Sequence, residues 1–214
     1  MTLESSFPYL SVIAAVAAYA LEDGAGSVGR RALKISALAA LALFSYFRGI
    51  APTEVPAALA LAAIAEGWPS ASAERWRSAG TLVRIGSRLV FAYLFLRIGE
   101  GRAAFLGDAV KAGLLVTLLA ASGFGAARLW NAAGQARPGV VADGGVLLLT
   151  LVAALTLYWS FWPAMAGALG LFACEVLLFG AVFSERLVDG PLLRRSAWIC
   201  GYLGQAAIAY AFLR

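Results

Sequence analysis

The chain has 214 residues, 62% of them hydrophobic and 14% charged, with a formal net charge of +5 and a mean hydropathy of +0.82. A soluble domain of this length carries about 25% charged residues, so the composition excludes one and points to an integral membrane protein. No histidine is present, which removes the commonest zinc and haem ligand and the commonest general base. The basic residues form no separate face interleaved with aromatics, so the sequence gives no sign of a nucleic-acid partner.

In hydrocarbon each backbone N–H and C=O must be satisfied within its own segment or by barrel closure. The apolar runs here are too long and continuous for barrel strands, so the spans are predicted to be helices. Breaking the chain at glycine, proline and charge clusters gives about eight transmembrane helices in one all-α bundle, a single transmembrane domain over 1–214. The first, 8–21, lacks a basic leading region and a small-residue cleavage site and reads as a retained span. The second, 32–49, carries Lys34 near its start, where an interfacial anchor is expected. The third, 53–68, has Pro56 near its start, where a missing N–H costs little, and Glu66 near its end. The fourth, 78–98, places Arg84 and Arg88 four residues apart on one face. The fifth and sixth, 108–130 and 142–160, contribute Lys111 and little else that is charged within the span. The seventh, 162–184, includes GALGLFACEVLLFGAVF, in which Glu175 is the only charged residue. The eighth, 193–213, carries Tyr202 and Gln205. Cys174 and Cys200 stand in different spans without metal-type spacing and read as small packing residues, so no metal and no cofactor are expected.

With eight spans, ten of the seventeen basic residues, among them Arg30, Arg31, Arg75, Arg77, Arg128, Arg137 and Arg186, fall on one side of the membrane and four on the other. The excess predicts both termini on the non-cytoplasmic side, and the expected location is a bacterial inner membrane. In that orientation Glu66 and Glu175 each lie roughly thirteen residues, about 20 Å, from the outer end of their helices. Lys34, Arg84, Arg88, Tyr202 and Gln205 fall in the same half. Charges inside a membrane are costly, about 2.5–3.5 kcal/mol each on insertion scales, and mark function more often than packing. These groups are expected to converge on one cavity open to the inner leaflet.

The order of these residues resembles the lysoplasmalogenase family, also called YhhN-like, over nearly the whole chain. The segment GALGLFACEVLLFGAVF, a basic linker and GYLGQAAIAYAFL are similar to the family's Phe-x-x-Ser-Asp step and its closing Tyr-x-x-x-Gln or Tyr-x-x-Gln helix. Phe172, Cys174 and Glu175 stand in the first, Tyr202 and Gln205 in the second. LALAAIAEGW resembles its Ser-Leu-x-Gly-Asp step with Ala65 and Glu66 in the last two places, and LKISALAAL its Lys-Pro-Leu opening, with Lys34 matching and Ile35 in place of the proline. Glutamates thus stand at both family aspartates, and Arg88 stands about where the family has a membrane histidine.

The resemblance implies hydrolysis of the vinyl ether of a lysoplasmalogen, or of a related lysolipid bond, to an aldehyde and a glycerophospho-base. Cleavage needs protonation of the alkenyl carbon and delivery of water, a division of labour that suits two carboxylates. Glu175 is the expected acid and Glu66 the expected base, with Lys34, Arg84 and Arg88 on the lipid phosphate and Tyr202 and Gln205 as further substrate contacts. The implied partner is a membrane lipid or lysolipid, and the oligomeric state is left open. Two alternatives stand beside this: a non-catalytic lipid-binding or membrane-assembly protein with structural Glu–Arg pairs, and a small-solute carrier.

Overall fold

The computed structural model describes residues 3–20, 28–68, 79–129, 133–183 and 191–213. The described residues are all-helical, without a strand: α1 (Leu3–Ala20), α2 (Val28–Arg48), α3 (Glu54–Ala65), α4 (Ala79–Ile98), α5 (Ala103–Leu106), α6 (Ala109–Leu129), α7 (Arg137–Leu155), α8 (Trp162–Phe183) and α9 (Pro191–Ala211). Four stretches, Ala79–Ile98, Ala109–Ala127, Gly134–Leu155 and Trp159–Phe179, are long and apolar enough to cross a membrane, which marks a helical membrane protein. Part of the basic asymmetry, Arg75, Arg77, Arg186 and Arg214, lies outside the described residues.

Each predicted segment has a helical counterpart, but several boundaries differ: α1 begins at Leu3 rather than 8, α7 ends at Leu155 rather than 160, and three further shifts bear on the site. The α-helix of the third segment ends at Ala65, and its twelve residues rise about 18 Å, short of a hydrocarbon core of about 30 Å. Glu66 is therefore the C-cap of α3 and not an interior residue. The sixth helix starts at Arg137, five residues before the predicted 142, because Pro138 occupies the N-terminal turn, where proline is favoured. That shift moves Asp143 from a span boundary into α7. The second helix starts at Val28, so Arg30 and Arg31 are helical and not loop residues.

Neighbouring helices close a ring: α1 packs on α2, α2 on α3, α3 on α4, α4 on α7, α7 on α8, α8 on α9, and α9 on α1. Leu59, Phe91, Phe95, Leu147, Leu151, Leu157, Ile208 and Phe212 fill one continuous core inside it. A smaller cluster of Ala15, Ala18, Leu38, Trp198 and Tyr202 joins α1, α2 and α9. The α8–α9 seam is the tightest. A Cβ on Gly167 would lie 2.4 Å from the Gly204 carbonyl, so only glycine permits the backbones to meet there.

α6 lies outside the ring and is exposed along nearly all its length. Its N-terminal end is fastened by polar contacts. Asp108 accepts from the Val110 and Lys111 N–H groups and from the Trp159 indole N–H at 2.6 Å. Lys111, only 2% exposed, donates to the Leu157 carbonyl at 2.6 Å and lies 3.6 Å from Glu100. Its ammonium also sits over the Trp159 ring. Indole and backbone donors hold the Asp108 carboxyl below its usual range.

Candidate functional site

A cavity of about 80 Å³ opens within the ring between α2, the end of α3, α4, α8 and α9. Helical periodicity builds its walls. α4 contributes Arg84, Ser87, Arg88 and Phe91; α8 contributes Leu171, Cys174, Glu175 and Leu178; and α9 contributes Arg194, Ala197, Trp198, Gly201 and Gln205. In each case the residues recur at i, i+3, i+4 and i+7, one face of a helix. Lys34 from α2, with Ala62 and Glu66 from α3, completes the lining.

Six of the seven residues singled out from the sequence, Lys34, Glu66, Arg84, Arg88, Glu175 and Gln205, thus line one cavity. Lys34 is not an interfacial anchor. It is 6% exposed and its ammonium stands over the Trp198 ring, 4.8 Å from the centroid. Tyr202 is the exception: Ser11 Oγ donates to the Ala37 carbonyl at 2.7 Å, so the Tyr202 hydroxyl donates to Ser11 Oγ, also at 2.7 Å. The phenol ties α9 to α1 and does not line the cavity.

Arg88 is the electrostatic centre. One guanidinium nitrogen, Nη1, donates to Asp143 Oδ1 and, at 3.3 Å, to the Asp143 carbonyl; the other, Nη2, donates to Glu175 Oε1. Asp143 is 0% exposed and Glu175 2%. One buried cation therefore bridges two carboxylates on different helices, α7 and α8. The expectation that Arg88 holds a lipid phosphate is corrected by these bonds, since both of its terminal nitrogens are already engaged within the protein. Arg84, one turn earlier, donates to Thr81 Oγ1 at 3.0 Å. Ser87 donates to the Ala58 carbonyl at 2.7 Å and fixes α4 against α3.

Two residues escaped sequence reading. Asp143 stood at a predicted span boundary, where a carboxylate is unremarkable. Placing the helix start at the Arg137-Pro138 pair would have put it in the membrane. Arg194, at the start of the eighth predicted span, counts only among the ten basic residues of one side, although its spacing of four from Trp198 and eleven from Gln205 puts all three on one face.

Besides Arg88, which is held by Asp143 and Glu175, the lining carries three cations, Lys34, Arg84 and Arg194, and one further carboxylate, Glu66. Such a surface favours an anionic group, and its volume suits a phosphate with a few waters rather than a hydrocarbon chain. Among the described residues no cluster of three or more metal-ligating side chains is found. Comparison with protein families, with curated proteins and with solved structures gave no match.

Proposed function

We propose that this chain is a lysolipid hydrolase of the lysoplasmalogenase type, with eight spans, lying in a bacterial inner membrane with both termini outside the cytoplasm. The observation that carries the reading is the convergence of Lys34, Glu66, Arg84, Glu175 and Gln205, drawn from five helix segments, on one cavity. Two acids and a surplus of cations in one place suit a phosphate-bearing substrate that is cleaved by proton transfer.

The Arg88–Glu175 bond supports a division of roles opposite to the one the resemblance implies. A carboxylate bound to a guanidinium is placed to steady a developing cation and to orient water rather than to donate a proton. Glu175 therefore activates water and steadies the oxocarbenium ion, and Glu66, at the end of α3 on the cavity wall, donates the proton. In the reaction Glu66 protonates the outer alkenyl carbon, and water, deprotonated by Glu175, adds to the carbon bearing oxygen. The resulting hemiacetal loses the glycerol oxygen as an alcohol and leaves a fatty aldehyde. One water is consumed and both carboxyls regain their starting states once the proton passes from Glu175 back to Glu66. Lys34, Arg84 and Arg194 hold the phosphate, and the hydrocarbon tail leaves the small cavity between the helices.

The test is aldehyde release by the purified protein from a 1-alkenyl lysophospholipid, with the 1-alkyl analogue as unreactive control. Release from the first alone is expected, and binding of both without release overturns the hydrolase reading. The buried Asp143–Arg88–Glu175 bridge favours a second reading, a lipid-binding protein in which these charges hold helices together. Under it, Glu175→Gln lowers the melting temperature and leaves lipid binding unchanged, with no turnover in either form.

A further inference from the structure

α9 presents one stripe to the cavity: Arg194, Trp198, Gly201 and Gln205, at intervals of four, three and four residues. At 1.5 Å per residue the stripe runs about 16 Å, from a cation at one end to an amide at the other. Two of its polar atoms are buried without a hydrogen-bond partner among the described residues, Trp198 Nε1 and Gln205 Oε1. Trp198 is only 7% exposed. Unsatisfied polar groups buried in a native protein are costly, and in a cavity wall they point to a ligand that completes them. The chemistry of the two is complementary. An indole N–H gives a proton to an anionic or ester oxygen, whereas an amide oxygen requires a hydroxyl or N–H donor. A phosphate held by Lys34, Arg84 and Arg194 has oxygens for the indole. The deeper amide then meets the glycerol.

We propose that Gln205 reads the free glycerol hydroxyl of a lysophospholipid and so makes the cavity selective for single-chain over two-chain phospholipids. In a diacyl lipid that oxygen is esterified and has no proton to give, so the Gln205 oxygen stays buried and unpaired and the second chain must enter the same small space. In the single-chain lipid the hydroxyl donates to Gln205 Oε1, while the phosphate accepts from Trp198 Nε1. The assignment rests on the lipid-site reading above but not on catalysis, because it concerns recognition alone.

The experiment uses the full-length protein in nanodiscs and two non-hydrolysable probes, a 1-alkyl lysophospholipid and its 2-deoxy analogue, with affinity read by titration calorimetry. The wild-type protein is expected to bind the deoxy probe about 10-fold more weakly, the order expected when one buried acceptor is left unpaired. Gln205→Met, nearly isosteric and without the amide, is expected to bind both probes equally, at about the wild-type affinity for the deoxy probe. Trp198→Phe weakens both probes alike and keeps the ratio. Equal binding of the two probes by the wild type, or a ratio unchanged in Gln205→Met, overturns the hydroxyl assignment and leaves the lipid site standing. Failure of either probe to bind overturns the lipid site itself.

Discussion

Arg88 shared between Asp143 and Glu175 predicts a specific pattern of non-additivity. Removing one carboxylate, by Asp143→Asn or Glu175→Gln, deletes a charge-assisted hydrogen bond but leaves the guanidinium its other partner. Each single change is expected to cost about 1.5–3 kcal/mol. The second removal, made in the background of the first, strands a cation that is 7% exposed and is expected to cost about 3–5 kcal/mol, the range for breaking a buried pair. The double variant should therefore exceed the sum of the singles by about 1–3 kcal/mol, within the range of coupling between contacting residues. For a protein of this length about 1 kcal/mol corresponds to about 2–4 °C of melting temperature, so the excess is readable by scanning fluorimetry in detergent. Replacing the stranded cation as well, with Arg88→Met, should recover part of the loss, because a methionine there has no charge to satisfy. A double variant that melts where the two singles add, or a triple variant less stable than the double, would refute the shared-guanidinium account.

Three other expectations follow from the packing. Gly167→Ala should cost about 1–3 kcal/mol or more through overpacking, since its Cβ meets the Gly204 carbonyl at 2.4 Å and Ile208 Cγ1 at 2.8 Å; Gly170→Ala, whose nearest contact is 3.3 Å, should cost less in the same melting assay. Tyr202→Phe should lose about 1 kcal/mol with the bond to Ser11 and leave lysolipid binding unchanged, since the phenol faces α1. Asp108, held below its unfolded value by Trp159 and the backbone, contributes stability above that unfolded value and loses it as pH falls through the lower folded one. Trp159 fluorescence should accordingly change on acidification, and Asp108→Asn should abolish that acid-dependent change.

The helical class and the location of the cavity were legible because both rest on signals that one segment carries alone. A charge inside an apolar run announces itself, which is why Glu175, Arg84 and Arg88 point to the cavity from the sequence alone. Their i,i+3,i+4,i+7 company on α4, α8 and α9 follows from helix geometry. What stayed hidden depended on pairing between segments or on exact helix ends. Asp143 lies six residues from where α7 starts, and its partnership with Arg88 spans two helices distant in sequence. Lys34 looked like an anchor because its distance from the helix start suggested an interface. Only the approach of α9 puts Trp198 beneath its ammonium. Tyr202 carries a polar tip at the right depth, but the rotation that turns it toward α1 and away from the cavity is set by packing that no single helix encodes. The exposure of α6 was likewise invisible, since its hydropathy is that of any span.

The proposed hydrolysis turns on a carboxylic acid at the cavity wall that protonates the alkenyl carbon of a vinyl ether. Running the reaction in D2O and analysing the released fatty aldehyde by mass spectrometry tests it most directly. Carbon protonation places one solvent deuterium on the carbon next to the aldehyde, and Glu66→Gln should slow its appearance by roughly 10²–10⁴-fold, the effect of losing general acid catalysis. Aldehyde without that deuterium, or release at the wild-type rate from Glu66→Gln, would contradict it.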